Sequence, residues 1–180
     1  MSASTGVTPG EARAGEPRPA AVDTHPIEGD ARPIAVVVYR SRTGKTRRFA
    51  EEIGGFLRER GLEVVVGSVG DIDPATLAEA DHVLLGCWTE GWFVIHQHPD
   101  QPWVAFTRDV PPLPHARVGL FTTYALLSGT MFARMREHLG SRTPTIAVEL
   151  KSRDGRLGDA HRRALEGFVR PSVGMPPGRA

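Results

Sequence analysis

Cysteine is nearly absent from this chain of 180 residues: Cys87 is the single one, which excludes an internal disulfide framework. Long apolar runs are missing too, and none approaches the ~20 residues that a membrane-spanning helix needs. Nor is there an excess of charge of one sign. Lysine and arginine number 22 against 21 acids, a formal net charge of +1, so nothing marks the whole chain as a nucleic-acid binder. Residues 1–32 contain no Leu, Phe, Tyr or Trp and are rich in Pro, Gly and Ala. Such a segment lacks the apolar stretch of a signal peptide and buries too little surface to offset its ordering entropy, so it is expected to be disordered. The tail, 171–180, reads the same way. A lone thiol and the absence of targeting features suit a reducing, cytoplasmic setting.

What is there is one domain's worth of alternating pattern between 33 and 170. "IAVVVY" (34–39) is continuously apolar, as a strand covered on both faces should be. The segment after it places Phe49, Ile53, Phe56 and Leu57 on one helical stripe and stops at Gly61. Strand 62–69, a short helix 73–80 opened by Asp73 and Pro74, and strand 82–87 follow. A Trp-rich connection with a helix near 103–108 leads to strand 117–124. Helix 128–140 (Met131, Met135 and Leu139 inward), strand 145–150 and helix 158–170 complete the order. Five strands alternating with helices imply a parallel sheet with helices on both faces. Half of a Rossmann fold and the strand order 2-1-3-4-5 both satisfy this, and both place a ligand at the carboxyl ends of the strands.

One such end carries "YRSRTGKTRRFAEE" (39–52). Gly44-Lys45-Thr46 matches the tail of a triphosphate P-loop, but the first glycine of that motif falls on Tyr39, whose Cβ resists the turn required. The other parse keeps every position. Ser41, Thr43 and Thr46 supply hydroxyls, Gly44 lets the backbone close, and the amides that open the helix face an oxyanion. Arg42 and Lys45 stand by as helpers. This chemistry suits a terminal phosphate monoester. A capped turn without ligand is the plain alternative, since Ser and Thr cap helices anyway.

With its place after the first strand, Ser41-x-Thr43-Gly44-x-Thr46 resembles the FMN-phosphate loop of the flavodoxin family. "DHVLLGCWTEGW" (81–92) is similar to that family's third strand and following loop, with Asp81, Val83, Leu84, Leu85, Gly86, Cys87, Thr89 and Gly91 in matching places. The resemblance implies a three-layer sandwich of order 2-1-3-4-5 with FMN as cofactor. It implies Cys87, Trp88, Thr89 and Trp92 on one side of the flavin ring, and Thr122, Thr123 and Tyr124 on the other. It further implies electron transfer to a redox partner, or reduction of a small acceptor such as a quinone. No catalytic triad or carboxylate pair is recognisable, so the cofactor would perform the chemistry.

Two departures stand out. Glu90 occupies the usual aromatic position, between Trp88 and Trp92, which supports a flavin-free interaction module as the alternative; a nucleotide phosphotransferase is the remaining one. Flavodoxins are typically strongly acidic, whereas Arg40, Arg42, Lys45, Arg47 and Arg48 crowd this loop, which suggests an acidic partner; ordinary solvated helix-face charge is the alternative. His96 and His98 lack a third metal ligand at convincing spacing. His82, His115, His138 and His161 are expected at the surface or at strand edges.

Overall fold

The apolar run at 34–39 forms a strand in the sheet interior, and its neighbours on either side settle the topology. In the computed structural model, which describes residues 32–89, 98–124, 129–143 and 145–170, it is β1 (Ile34–Arg40). The remaining elements are α1 (Lys45–Glu59), β2 (Glu63–Ser68), a 3₁₀ helix (Pro74–Glu79), β3 (His82–Trp88), α2 (Gln101–Asp109), β4 (Arg117–Thr123), α3 (Met131–Leu139), a 3₁₀ turn (Gly140–Arg142), β5 (Ile146–Ser152) and α4 (Asp159–Val169). The expected disorder at both termini lies outside the described residues, as do Glu90, Gly91, Trp92 and His96.

The five strands form one sheet in the order β2-β1-β3-β4-β5, each described pair parallel. A Rossmann half would put β2 between β1 and β3. Here β1 separates them, so the switch point lies between β1 and β3, directly beneath the loop at 41–46.

Two cores result. Phe49, Ile53, Phe56 and Leu57 of α1 join Ala35, Val37, Leu84 and Phe121 and the α4 residues Leu165 and Phe168 on one face. On the other face, Trp103 and Phe106 of α2 and Met131, Met135 and Leu139 of α3 cover Val36, Val38, Leu85 and Leu120. The crossover expected as a helix at 73–80 is a 3₁₀ helix. Asp73 Oδ1 accepts from the Ala75 amide at 2.9 Å, and six residues with a proline at the start only suffice to seat Leu77.

His82 departs from expectation. It opens β3 but is only 7% exposed, with its ring edge-on to Phe168 at 5.2 Å and no hydrogen bond to either ring nitrogen among the described residues. The strand's first residue reads as an edge position, yet the end of α4 folds over it. Burial pushes its pKa below 6.5, opposed by the Asp81 carboxylate, reinforced by Arg117 and opposed again by the Phe168 main chain.

The sign follows directly. The unfolded chain takes up this proton near its ordinary pKa and the folded chain resists it, so stability is full above about pH 6.5 and falls as pH drops below it. Denaturant midpoints measured between pH 5 and 7.5 should show this decline. His82→Leu, which fills the same space without a titratable ring, should flatten it.

Candidate functional site

The carboxyl ends of β1, β3 and β4 bring three sequence segments together. Register pairs Arg40 with Cys87, Cys87 with Thr122, and Trp88 with Thr123. The Thr89 amide donates to the Thr123 carbonyl at 3.0 Å, and the Tyr124 amide to the Ser152 carbonyl at 3.2 Å. Every predicted site residue except Trp92, which lies outside the described residues, therefore stands on one edge of the sheet.

The loop at 41–46 is organised around its own hydroxyls. Gly44 adopts a left-handed backbone, φ +84°, and its amide donates to Ser41 Oγ at 3.1 Å. That conformation is why glycine is needed there. Thr43 is exposed, whereas Thr46 is buried and its Oγ1 is hydrogen-bonded to Thr123 Oγ1 at 2.7 Å. So two of the three hydroxyls also hold the loop in place. Ser41 still has its proton to donate, and one proton of the Thr46–Thr123 pair is likewise free. Above them α1 opens with no side-chain cap and no acid in its first turn, its ladder beginning with the Arg48 amide on the Gly44 carbonyl. Uncapped amides beside free hydroxyl donors and a glycine that leaves its Cβ space open fit a phosphate monoester.

At the ring-side positions, Thr122 Oγ1 donates to the Cys87 carbonyl at 2.7 Å, so its bond with Thr89 Oγ1, at 3.1 Å, uses the Thr89 proton. Thr89 thus presents an acceptor outward. Thr122 and Thr123 are buried and Tyr124 half-buried. Cys87 belongs to β3 rather than to the loop after it, and its thiol has no exposed surface. Burial raises its pKa well above the usual thiol value, so it stays protonated, and only its main chain can border a ligand. Trp88 is half-buried, with the Arg42 guanidinium 5.2 Å from its ring centroid.

The five bases divide. Arg47 pairs with Glu51 at 2.7 Å on the exposed helix face. The Arg48 guanidinium donates to the carbonyls of Asp154 and Gly155. Arg40 pairs with Asp100 at 2.7 Å. Of these five, Arg42 and Lys45 alone have neither a hydrogen-bond nor an ion-pair partner among the described residues.

Sequence reasoning missed two features. Asp100 caps α2 and reaches both Arg40 and Trp88; Asp followed by Pro102 at the helix start was its legible signal. A cavity of about 440 Å³ opens between Arg40, Arg42, Trp88, Asp100, Gln101 and Pro102. The second is the β5–α4 turn, which braces the start of α1. Gly155 sits there at φ +75°, buried against Lys45, and the Leu157 amide donates to Glu52 at 2.6 Å. No local pattern announces that contact.

This architecture and loop define a class: a doubly wound sheet with a hydroxyl-and-glycine turn at its switch point. Family comparison gives the class its name. The flavodoxin family model matches residues 37–132, more than half of the chain, and the protein belongs to the flavodoxin family. The flavodoxin of Megasphaera elsdenii is 33% identical over 93 residues, a stretch spanning 52% of this chain and 66% of that relative, just short of two thirds. Its two-electron reduced solution structure superposes with a TM-score of 0.62 at 22% identity, over 74% of this chain and 97% of that one. A flavodoxin of Streptococcus pneumonia gives 0.61 at 21%, over 75% and 94%. The rubredoxin:oxygen oxidoreductase of Desulfovibrio gigas gives 0.57 at 16%, over 76% of this chain but 35% of that one. These likenesses show the fold. FMN is the cofactor of the family.

The brace at Gly155 generates a test. A Cβ there would run into the Lys45 carbonyl, which opens α1, and the left-handed backbone alone costs an L-residue roughly 1–2 kcal/mol. Gly155→Ala should lower the melting temperature and weaken FMN binding together, whereas Gly167→Ala, in open space on α4, should do neither. Thermal melts with and without FMN, plus a flavin titration, would read both effects.

Proposed function

We propose that this protein holds FMN with its phosphate in the loop at 41–46 and serves as an electron carrier for a redox protein partner, or as a reductase of a small acceptor such as a quinone. The observation that carries the reading is the uncapped, acid-free start of α1 directly after a hydroxyl-and-glycine turn at the switch point of a flavodoxin sheet. Bound FMN would supply reversible one- and two-electron chemistry; the protein's part is to bind, orient and tune it. Ser41, Thr43 and Thr46 would donate from their hydroxyls, the first-turn amides from the backbone, and Arg42 and Lys45 would neutralise the remaining charge. Trp88 and Thr89 would border one side of the ring, with the Cys87 main chain, and Thr122, Thr123 and Tyr124 the other. Trp92, assigned to the same side of the ring by the family resemblance, lies outside the described residues.

The triphosphate reading loses its footing because Tyr39 is extended in the β1 ladder, opposite Ser68 and Gly86, where a P-loop needs a turning glycine. Family membership weighs against the flavin-free module. An acidic partner is supported only by Arg42 and Lys45, since the other bases are engaged within the fold. No described helix is long and apolar enough to cross a membrane; a cytoplasmic location belongs to the proposal.

The purified protein should show flavin absorbance after incubation with FMN and should bind FMN far more tightly than riboflavin. A hydrogen bond to a charged group contributes roughly 1.5–3 kcal/mol, so Thr43→Ala and Thr46→Ala should each weaken FMN about tenfold or more while leaving riboflavin nearly unchanged. Equal affinities for the two flavins would remove the phosphate loop from the function. Magnesium-dependent ATP binding lost in Lys45→Ala would restore the P-loop.

A further inference from the structure

Asp100 is the only carboxylate buried among the described residues, at 5% exposure. A buried carboxylate is costly unless donors surround it, and this one has four. Its Oδ2 accepts from Arg40 Nε at 2.7 Å and from Trp88 Nε1 at 3.1 Å. Its Oδ1 accepts from the Trp103 amide at 3.4 Å and from the Cys87 thiol at 3.6 Å. The shortest two contacts are not the helix cap. A serine or asparagine caps a helix about as well as aspartate does, so capping α2 does not call for a buried charge. The charge is spent on Arg40 and Trp88, which come from β1 and β3 and line one cavity with Asp100 itself.

We propose that Asp100 is a positioning residue of the cofactor site, which fixes the Trp88 indole in the plane that a flavin ring meets and holds Arg40 beside it; this rests on the reading that Trp88 borders FMN. An indole has a single N–H, and tying it to a carboxylate fixes both side-chain torsions at once. The Arg42 guanidinium then finds a fixed ring to lie over. A ring held before the ligand arrives spares the ordering cost of binding. With Arg40 neutralised by Asp100, the positive charge left at the cavity belongs to Arg42.

Two variants separate this role from capping and packing. Asp100→Ser keeps a capping oxygen for α2 but is too short to reach Arg40 or Trp88. Trp88→Phe keeps a flat ring without the N–H. In the flavin-free full-length protein, the Trp88 indole N–H resonance, identified by its loss in Trp88→Phe, should exchange slowly with solvent. In Asp100→Ser it should move upfield and exchange faster, a change that general destabilisation alone would spread over all indoles. Titration should show FMN and riboflavin weakened by the same factor in Asp100→Ser, about three- to tenfold for a loosened aromatic contact, because the ring and not the phosphate is affected. In the Trp88→Phe background the same change should add less than about twofold, since Asp100 acts through the indole. An unmoved Trp88 resonance, unchanged riboflavin affinity, or losses that multiply in the double variant would overturn the proposal. Loss of FMN affinity with riboflavin unaffected would overturn it as well, by moving Asp100 to the phosphate. If Asp100→Ser fails to fold, Asp100→Asn, which keeps shape and cap but not charge, should give the same pattern in weaker form, and its absence is equally decisive. A wild type that binds neither flavin ends the proposed function, and the cofactor role of Asp100 with it, while the indole resonance still reports whether Asp100 holds Trp88.

Discussion

The ring of Phe121 lies across β3 where Gly86 has no side chain, and the placement of everything on that face depends on this gap. A Cβ on Gly86 would lie 2.1 Å from two carbons of the Phe121 ring, far inside contact distance. Because it is absent, the ring settles against the sheet and meets Phe49 of α1 edge-on, with centroids 5.8 Å apart and planes at 81°. His161 of α4 approaches the same Phe49 ring at 5.2 Å. One missing methyl group thus sets how close β4, α1 and α4 come together, and α1 carries the loop at 41–46 at its start.

Polar contacts finish what that packing begins, and they differ on the two faces of the sheet. On the α1 and α4 face, Arg48 ties helix to turn through carbonyls of Asp154 and Gly155, and Ser152 Oγ accepts from the Gly155 and Arg156 amides at 3.0 Å each. On the α2 face one carboxylate gathers Arg40, Trp88 and the helix cap. The candidate site straddles the edge between them. Each of its walls is fastened by residues distant in sequence, while the hydroxyls of 41–46 and 122–123 knit the middle.

Much of this was legible because it is local. The continuous apolar run at 34–39 could only be a doubly covered strand, and Phe49, Ile53, Phe56 and Leu57 repeat with helical spacing. Strand order was not in those periods; the hydroxyl-glycine turn and the segment at 81–92 supplied it through their likeness to one family. The partners of the arginines were illegible for a physical reason. A run such as Arg47-Arg48 reads as solvated charge, but Arg48 meets the turn at 154–155, a contact only the finished fold creates. His82 was misjudged in the same way: a strand's first residue is at an edge until a ring from α4 covers it. Asp100 lay between both cases, since its capping role could be read locally and its grip on Trp88 could not.

Cys87 sits within this arrangement with no surface of its own, its proton kept by burial and shared with Asp100. A thiolate is the form that peroxide attacks and that enters exchange with other thiols, and neither solvent nor oxidant meets one here. The chain has no second cysteine to pair with it. A voltage applied to the folded protein therefore finds no cysteine couple to charge or discharge. For the electron carrier proposed above, a cysteine that cannot trap electrons leaves that traffic to the bound flavin.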